Sequence, residues 1–200
     1  MDVCFIIGNN FDLTNYDFTN KIVVGIDKGA YLAYKSGIKL DYAIGDFDSI
    51  SAQELEELYD YTNVVKLNPI KDDTDTLYAL KMFADYDNLI VLGGITGKRI
   101  DHFVANLKLF YDFPNLVIVD NDTFISLCDK ESYFRKDEYN FYSFFALEDV
   151  YDLSMVGFKY ELDKYNLSHT SNLGVSNEIV NASASLSYSK GKLLLIKTKE

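Results

Sequence analysis

The chain is 200 residues long, and a composition of 48% hydrophobic and 25% charged residues is that of a globular protein with one large domain or two small ones. Its formal net charge of −12 argues against binding to nucleic acid or to anionic membrane surfaces, which require clustered Lys and Arg. The charge does not exclude binding of small ligands. A protein this acidic needs a divalent cation or well-placed basic residues to bind phosphates.

The cysteine content and the first residues indicate the compartment. Cys4 and Cys128 are far apart in the sequence and lack metal-ligand spacing, and residues 1–4 carry no basic segment or long apolar core of an export signal. No apolar stretch approaches the ~20 residues that a membrane-spanning helix needs. We therefore expect a cytoplasmic protein in a reducing setting, with no membrane segment.

Short β-rich runs alternate with helical patterns through residues 1–123, a rhythm typical of crossover units and a mainly parallel sheet. The predicted strands are residues 3–7, 21–25, 42–45, 63–67, 88–92 and 116–119. The predicted helices are residues 29–35, 52–61, 74–83 and 102–110. Ser51 and Glu54 have the spacing of a capping box, which predicts that the second helix begins directly after Ser51.

The character of the sequence changes from about Phe124. Aromatic residues, Ser and alternating apolar residues then dominate, which predicts a second, all-β domain over residues 124–200. Residues 182–189 alternate with period two, Lys190 and Gly191 predict a turn, and residues 192–198 predict a final strand. We expect these two strands to form a hairpin.

The run from Gly45 to Ser49 places Asp46 and Asp48 at the end of the third predicted strand. Residues i and i+2 of a strand point to the same side, so both carboxylates would face one Mg²⁺, while Gly45 allows close approach of backbone or ligand. The alternative is a polar turn whose Asp side chains accept hydrogen bonds from their own backbone.

Polar residues follow four successive predicted strands, at the sheet edge where α/β proteins bind ligands. The segments are residues 25–29, 45–49, 68–75 and 93–102. Each has a structural alternative: Asp27 could offset a helix dipole, Asp72 or Asp73 could be an N-cap, the 93–99 segment could be a flexible loop, and Asp101 could cap the helix that follows. Their joint placement at consecutive strand ends favours a ligand site.

The set suits phosphoryl chemistry. Mg²⁺ binds one or two carboxylates plus substrate phosphates, and Arg99 or Lys71 could neutralise the charge that builds up in transfer. The sequence contains neither a Walker A loop nor a Gly-x-Gly-x-x-Gly fingerprint. His102 could be catalytic, but we favour a role in fixing its loop, because phosphoryl transfer to an alcohol depends on positioning and charge neutralisation more than on a strong base.

Five segments resemble, in order, the motifs of the thiamine pyrophosphokinase family. Residues 25–30 are similar to its Ala-Asp-Gly-Gly-Ala stretch, residues 45–50 to its Gly-Asp-Phe-Asp-Ser-Ile motif and residues 71–75 to its Lys-Asp-x-Thr-Asp element. Residues 99–106 resemble its Arg-x-Asp-His-x-x-Ala-Asn segment, and residues 174–178 its Ser-Asn-Glu loop. The chain departs from the family at position 28, where Lys replaces the usual Gly and either narrows the loop or adds a phosphate contact.

The resemblance implies a Rossmann-like, mainly parallel three-layer α/β domain at residues 1–123 that binds ATP and Mg²⁺, and a smaller thiamine-binding β-sandwich at residues 124–200. It also implies a homodimer whose active site lies between subunits. The hydroxyl of thiamine would attack the β-phosphorus of ATP with Mg²⁺ assistance, and AMP would leave. Rival readings are a related pyrophosphokinase or phosphohydrolase with another acceptor, and a noncatalytic thiamine or nucleotide sensor.

The resemblance also assigns the site residues. The acidic catalytic group would be Asp27, Asp46, Asp48, Asp75 and Asp101, with Asp46, Asp48 and Asp75 as metal ligands. The ATP or phosphate contacts would be Lys71, Asp72, Thr74, Arg99, His102 and Asn106. Ser176 and Asn177 would contact thiamine. Because the chain has no Trp, any ring that stacks on thiamine must belong to one of its 16 Tyr or 14 Phe residues.

Overall fold

A computed structural model describes residues 1–7, 11–70, 72–95 and 99–200 of the chain. These residues form two compact units, Met1–Asn121 and Asp122–Glu200. The described helices all lie in the first unit, which is α/β, and the second unit is built from strands. The expectation of an α/β part followed by an all-β part is confirmed.

The first unit contains six paired strands. Its strands are β1 (Val3–Ile6), β2 (Ile22–Ile26), β3 (Tyr42–Gly45), β4 (Asn63–Lys66), β5 (Leu89–Leu92) and β6 (Leu116–Val119). They lie in the order β4-β3-β2-β1-β5-β6, and every pairing between them is parallel. The carboxyl ends of all six strands therefore meet at one edge of the sheet.

Helices connect these strands. They are α1 (Lys28–Lys35), α2 (Ala52–Tyr61), α3 (Asp75–Met82) and α4 (Ile100–Lys108), with two short 3₁₀ helices at Leu13–Asn15 and Leu109–Tyr111. Ser51 and Glu54 form the expected capping box at the start of α2. Thr74, rather than Asp72 or Asp73, is the N-cap of α3, because its side chain accepts a hydrogen bond from the Leu77 amide.

The core of the first unit follows from its parallel sheet. All four residues of β1 are buried, as expected for a central parallel strand that is covered on both faces. Ala30 and Ala33 of α1 and Leu58 of α2 belong to the cluster that covers one face. Small alanines on α1 let this helix pack close to the sheet.

The second unit is antiparallel. Its strands are β7 (Thr123–Leu127), β8 (Glu131–Arg135), β9 (Phe141–Val156), β10 (Leu162–Leu167), β11 (Ser183–Ser187) and β12 (Lys190–Thr198). β12 pairs with β7 and β9, β11 pairs with β8 and β9, and β10 pairs with β9. Its core is aromatic: the rings of Phe134, Tyr142, Phe144 and Phe158 meet edge to face, with centroids 5.4 to 6.2 Å apart.

The predicted hairpin of the last two strands is wrong. No pairing joins β11 to β12, both of which lie wholly within the described residues; instead they pair with different parts of the 16-residue strand β9. Gly191, with φ +109°, lies at an irregular point of the β12–β9 pairing, and a Cβ there would lie 2.4 Å from the carbonyl oxygen of Asp149. Alternation predicts that a segment is a strand, but it does not predict the partner of that strand.

Both cysteines, Cys4 and Cys128, are free thiols and both are buried. Among the described residues, we find no helix with the length and apolar character needed to cross a bilayer.

Candidate active site

Three carboxylates converge at the carboxyl edge of the parallel sheet. Asp27 follows β2, Asp46 follows β3, and Asp75 is the first residue of α3. Each offers one oxygen, and these three oxygens lie within 4.8 Å of one another. All three residues are half-buried, so the group is accessible to a ligand but partly withdrawn from water.

Asp27 is held in an unusual backbone conformation. Its φ of 49° and ψ of −126° are rarely adopted by a non-glycine residue, and such strain concentrates at functional sites. The side chain occupies the N-cap position of α1 but makes no capping hydrogen bond there. Its Oδ1 instead accepts a hydrogen bond from the amide of Phe47, at 3.3 Å, in the turn after β3. Asp27 therefore faces its neighbouring strand end rather than its own helix.

Gly45 provides the space for this carboxylate. A Cβ at position 45 would lie 2.0 Å from Oδ1 of Asp27 and 2.8 Å from its Cγ, far inside van der Waals contact. The last residue of β3 must therefore lack a side chain if Asp27 is to keep its place.

The electrostatics of the group favour a proton or a cation. Burial raises the pKa of Asp27 to about 7, and the negative charge of Asp75 adds to this effect, as does, more weakly, that of Asp46. The hydrogen bond from the Phe47 amide acts in the opposite direction. Three closely spaced carboxylate oxygens are hard ligands of the kind that Mg²⁺ binds, and a dication would remove their mutual repulsion. The residues present therefore fit a divalent cation.

The raised pKa of Asp27 predicts how the stability of the fold depends on pH. The folded-state pKa of Asp27 lies above its unfolded value of about 4, so the folded protein binds this proton more tightly. With divalent metal removed by a chelator, the stability contributed by the proton is complete below about pH 4 and is lost as pH rises to about 7. Asp27→Asn should therefore unfold at higher urea concentration than the wild type at pH 8 and at nearly the same concentration at pH 4.

Circular dichroism during urea unfolding at the two pH values measures this difference. Asn tolerates a positive φ better than most residues, so the backbone of the variant is not expected to rearrange. Asp60→Asn is the matched control, because it removes the same charge from an exposed position of α2. An equal stabilisation in both variants would assign the effect to net charge and contradict the prediction.

A cleft of about 280 Å³ opens beside the three carboxylates. Its polar lining includes Asp27, Lys28, Thr74, Asp75, His102 and Asn106. The amide of the buried Asn106 side chain donates a hydrogen bond to the Gly94 carbonyl, at 3.3 Å, and so ties α4 to the segment after β5. Five residues that the sequence assigned to catalysis or to ATP thus meet in one cleft.

Asp48 is placed differently from the expectation. β3 ends at Gly45, and Phe47 has a φ of +60°, so Asp46 and Asp48 do not share the regular side of a strand. The amide of Asp48 donates a hydrogen bond to Oδ1 of Asp46 at 3.1 Å, the bond expected of the alternative polar turn. Asp48 is exposed and lies outside the three-carboxylate group. Contrary to expectation, Asp46 and Asp48 therefore do not face one cation from a strand, and a metal-binding role for Asp48 stays a prediction.

Arg99 and Asp101 bind each other. The guanidinium donates from Nη2 to Oδ2 at 2.6 Å and from Nε to Oδ1 at 3.0 Å, and both side chains are mostly exposed. The hydrogen bonding from Arg99 lowers the pKa of Asp101 to about 2. Asp101 is therefore not brought to the three-carboxylate group.

The remaining phosphate contacts are placed as follows. Thr74 uses its hydroxyl as the N-cap of α3, accepting from the Leu77 amide at 3.2 Å, and Asp72 is exposed just before it. Lys71 and the predicted loop residues 96–98 lie outside the described residues.

In the second unit, Ser176 and Asn177 differ in their exposure to solvent. Ser176 is exposed, has a φ of 57°, and its amide donates to the Ser143 hydroxyl at 3.0 Å. Asn177 is only 3% exposed. Its Oδ1 accepts from the amides of Tyr160 and Glu178, each at 3.0 Å, and its Nδ2 donates to the Tyr160 carbonyl at 2.9 Å. The Asn177 side chain thus holds the backbone, and Ser176 is the member that faces solvent.

Tyr160 is a candidate that sequence reasoning missed. Asn177 fixes its backbone beside the Ser176 loop, while its side chain remains exposed, with 59% of the residue accessible. The Lys159 ammonium lies 5.7 Å from the Tyr160 ring centroid, so the ring already contacts a cation. Because the chain has no Trp, any ring that stacks on thiamine must belong to a Tyr or a Phe. Nothing in the sequence distinguished Tyr160 from the other 15 Tyr residues.

Family models match both units. The thiamin pyrophosphokinase catalytic domain matches residues 14–119, which include the three carboxylates, and the vitamin B1 binding domain of the same family matches residues 131–193. The chain belongs to the thiamin pyrophosphokinase family. The resemblance found in the sequence motifs is confirmed.

Full-length relatives agree with this family. The thiamine pyrophosphokinase of Bacillus subtilis (strain 168) is 32% identical over 200 residues, which cover 94% of this chain and 92% of the relative. A crystal structure of the Bacillus subtilis enzyme superposes with a TM-score of 0.89 at 30% identity and 100% coverage of both chains. The thiamin pyrophosphokinase of Geobacillus thermodenitrificans gives a TM-score of 0.89 at 27% identity, covering 100% of this chain and 98% of that one.

Proposed function

We propose that this member of the thiamin pyrophosphokinase family transfers the pyrophosphoryl group of ATP to the hydroxyl of thiamine, giving thiamine diphosphate and AMP, with Mg²⁺ as cofactor. The observation that carries the proposal is the convergence of Asp27, Asp46 and Asp75 within the segment that matches the family's catalytic domain. Bound Mg²⁺ would neutralise phosphate charge and polarise the β-phosphorus toward attack.

The two parts of the chain would bind different substrates. Residues 1–123 would be the Rossmann-like, three-layer domain that binds ATP and Mg²⁺, consistent with its parallel strand order and its carboxylates at the strand ends. Residues 124–200 would be the β-sandwich that binds thiamine, consistent with the match to a vitamin B1 binding domain. The homodimer with an active site between subunits and the cytoplasmic location remain part of the proposal, the latter supported by two free, buried cysteines.

The reaction is a displacement at the β-phosphorus. The hydroxyl oxygen of thiamine forms a bond to that phosphorus, the bond to the oxygen that bridges the α- and β-phosphorus breaks, and AMP leaves with that oxygen. The hydroxyl proton passes to water or to a carboxylate of the site. Most of the catalytic gain in such transfers comes from positioning and charge stabilisation.

The chain's own residues would do this positioning. Asp27, Asp46 and Asp75 would hold the cation, and Asp48, which is exposed, would be a further ligand. Arg99 would exchange its bond with Asp101 for a phosphate. The other proposed nucleotide contacts are Lys71, Asp72, Thr74, His102 and Asn106.

The experiment that tests this function is direct. Purified protein with ATP, Mg²⁺ and thiamine should form AMP and thiamine diphosphate in equal amounts, and a chelator should stop the reaction. Replacing thiamine by water or by other alcohols separates a thiamine kinase from a phosphohydrolase or from an enzyme with another acceptor. Thiamine binding without any AMP formation, with Mg²⁺ or Mn²⁺, would contradict the proposal.

Tyr160 provides a further prediction. If its exposed ring stacks on cationic thiamine, Tyr160→Ala should raise the KM for thiamine by about tenfold or more, since aromatic contacts with a desolvated cation are worth up to about 2 kcal/mol. Tyr160→Trp should lower this KM, because Trp is the stronger cation–π partner. The KM for ATP should not change in either variant.

Steady-state kinetics with each substrate varied in turn measures these effects. Tyr165→Ala, at an exposed position of β10, is the matched control and should leave both constants unchanged. A Tyr160→Ala variant with wild-type KM for thiamine would remove Tyr160 from the proposed thiamine site.

A further inference from the structure

The cleft beside the three carboxylates has one Lys or Arg in its lining, counted over the described residues, and this residue is Lys28. Lys28 is the first residue of α1, directly after Asp27, and it is exposed. Its flexible four-carbon side chain can therefore reach a ligand that is bound at the mouth of the cleft.

A cation is needed at this position. Asp27 and Asp75 line the same cleft, and their charges already repel each other. A triphosphate adds several further negative charges that one dication does not balance, so a nearby ammonium has a large effect on binding. Of the two cations that the sequence assigned to the phosphates, Arg99 is engaged with both oxygens of Asp101, and Lys71 lies outside the described residues.

The position of the Lys28 charge is consistent with this role. Hydrogen bonds with Ser51 lower the pKa of the Glu54 carboxylate, and the charge of Lys28 is a weaker contributor to the same shift. The Lys28 charge therefore acts on the start of α2 as well as on the cleft that this residue lines. Glu54 itself accepts from the Ser51 amide at 2.7 Å, so its carboxylate is engaged by the capping box of α2.

We propose that Lys28 binds the β- and γ-phosphates of ATP, the group to be transferred, and makes the cleft prefer a triphosphate over AMP. This inference rests on the proposed function. It predicts two effects of opposite sign, because the same positive charge attracts phosphate and repels a metal ion. Removing the charge should weaken nucleotide triphosphate binding and strengthen binding of a divalent metal alone.

The test uses binding rather than turnover. Calorimetry of Lys28→Gln with Mg²⁺ and an ATP analogue that has a methylene between the α- and β-phosphorus should give an affinity about tenfold below wild type. AMP affinity should change by less than about twofold, and Mn²⁺ affinity without nucleotide should rise about two- to threefold. Lys28→Arg should retain the affinity for the analogue. Lys39→Gln, at an exposed Lys of the same unit that does not line this cleft, is the control.

Each other outcome overturns the inference. Unchanged affinity for the analogue means that Lys28 does not contact the phosphates, and an equal loss of AMP affinity means that it acts on the nucleoside part or on folding. A fall in Mn²⁺ affinity would indicate damage to the carboxylate group. Failure of the proposed function is distinguishable, because the wild type would then bind the analogue but form no AMP when it is given ATP, Mg²⁺ and thiamine.

Discussion

Asp46→Asn is expected to lower the rate of thiamine-dependent AMP formation by at least about 10³-fold, a loss of about 4 kcal/mol in transition-state stabilisation. The substitution keeps the shape of the side chain but removes one of the three carboxylates that lie within 4.8 Å of each other. Mn²⁺ affinity should fall as well. The free energy of unfolding should stay the same or rise, since the Asp46 charge contributes to the raised pKa of Asp27 and so to repulsion in the folded state.

Single-turnover kinetics at saturating ATP and thiamine, together with urea unfolding, separates these effects. Asp60→Asn serves again as the charge-matched control and should keep wild-type activity. Asp75→Asn should behave as Asp46→Asn does. Near-normal turnover in both site variants would refute the metal-binding role of the group, whereas inactivity accompanied by loss of stability would point to a structural role.

Gly45→Ala is expected to reduce activity by about 10² fold or more without touching any ionisable group. The added methyl would lie 2.0 Å from Oδ1 of Asp27, so either that carboxylate or strand β3 must move. Displacements of about 1 Å in a catalytic constellation cost about this much in rate. Overpacking of this kind also costs about 1 to 3 kcal/mol of stability.

A double variant tests whether the loss acts through Asp27. If Gly45→Ala works by displacing this carboxylate, then adding Gly45→Ala to Asp27→Asn should lower activity little further, because the two changes remove the same interaction. Ser49→Ala, at an exposed position of the same turn, is the control for a small substitution there. Fully additive losses, or wild-type activity in Gly45→Ala, would contradict the proposed crowding.

The placement of the site carboxylates could be predicted from the sequence only in part. The strand ends predicted that Asp27 and Asp46 would approach each other, because consecutive parallel strands deliver their carboxyl ends to one edge. Asp48 was included because of the family motif and of regular strand geometry, but the strand ends at Gly45 and Phe47 has a positive φ. The pairing of Asp101 with Arg99 depends on side-chain placement at the start of α4, which no spacing rule reports.

The sequence by itself determined the local elements and the family. Hydrophobic periodicity and capping residues placed the strands and helices of the first unit within two residues of their observed bounds, because these signals act over short distances along the chain. Five ordered motifs then identified the family that the comparisons confirm.

Only the tertiary structure decided which of these residues meet. It separated β11 from β12, buried Asn177 against the backbone of Tyr160, and selected three carboxylates from the five that were proposed. Strand partners, burial and side-chain direction depend on contacts between residues far apart in sequence and on single backbone torsions, as at Asp27 and Phe47. These long-range contacts and single torsions are not encoded in the local pattern of residue types from which the elements were predicted.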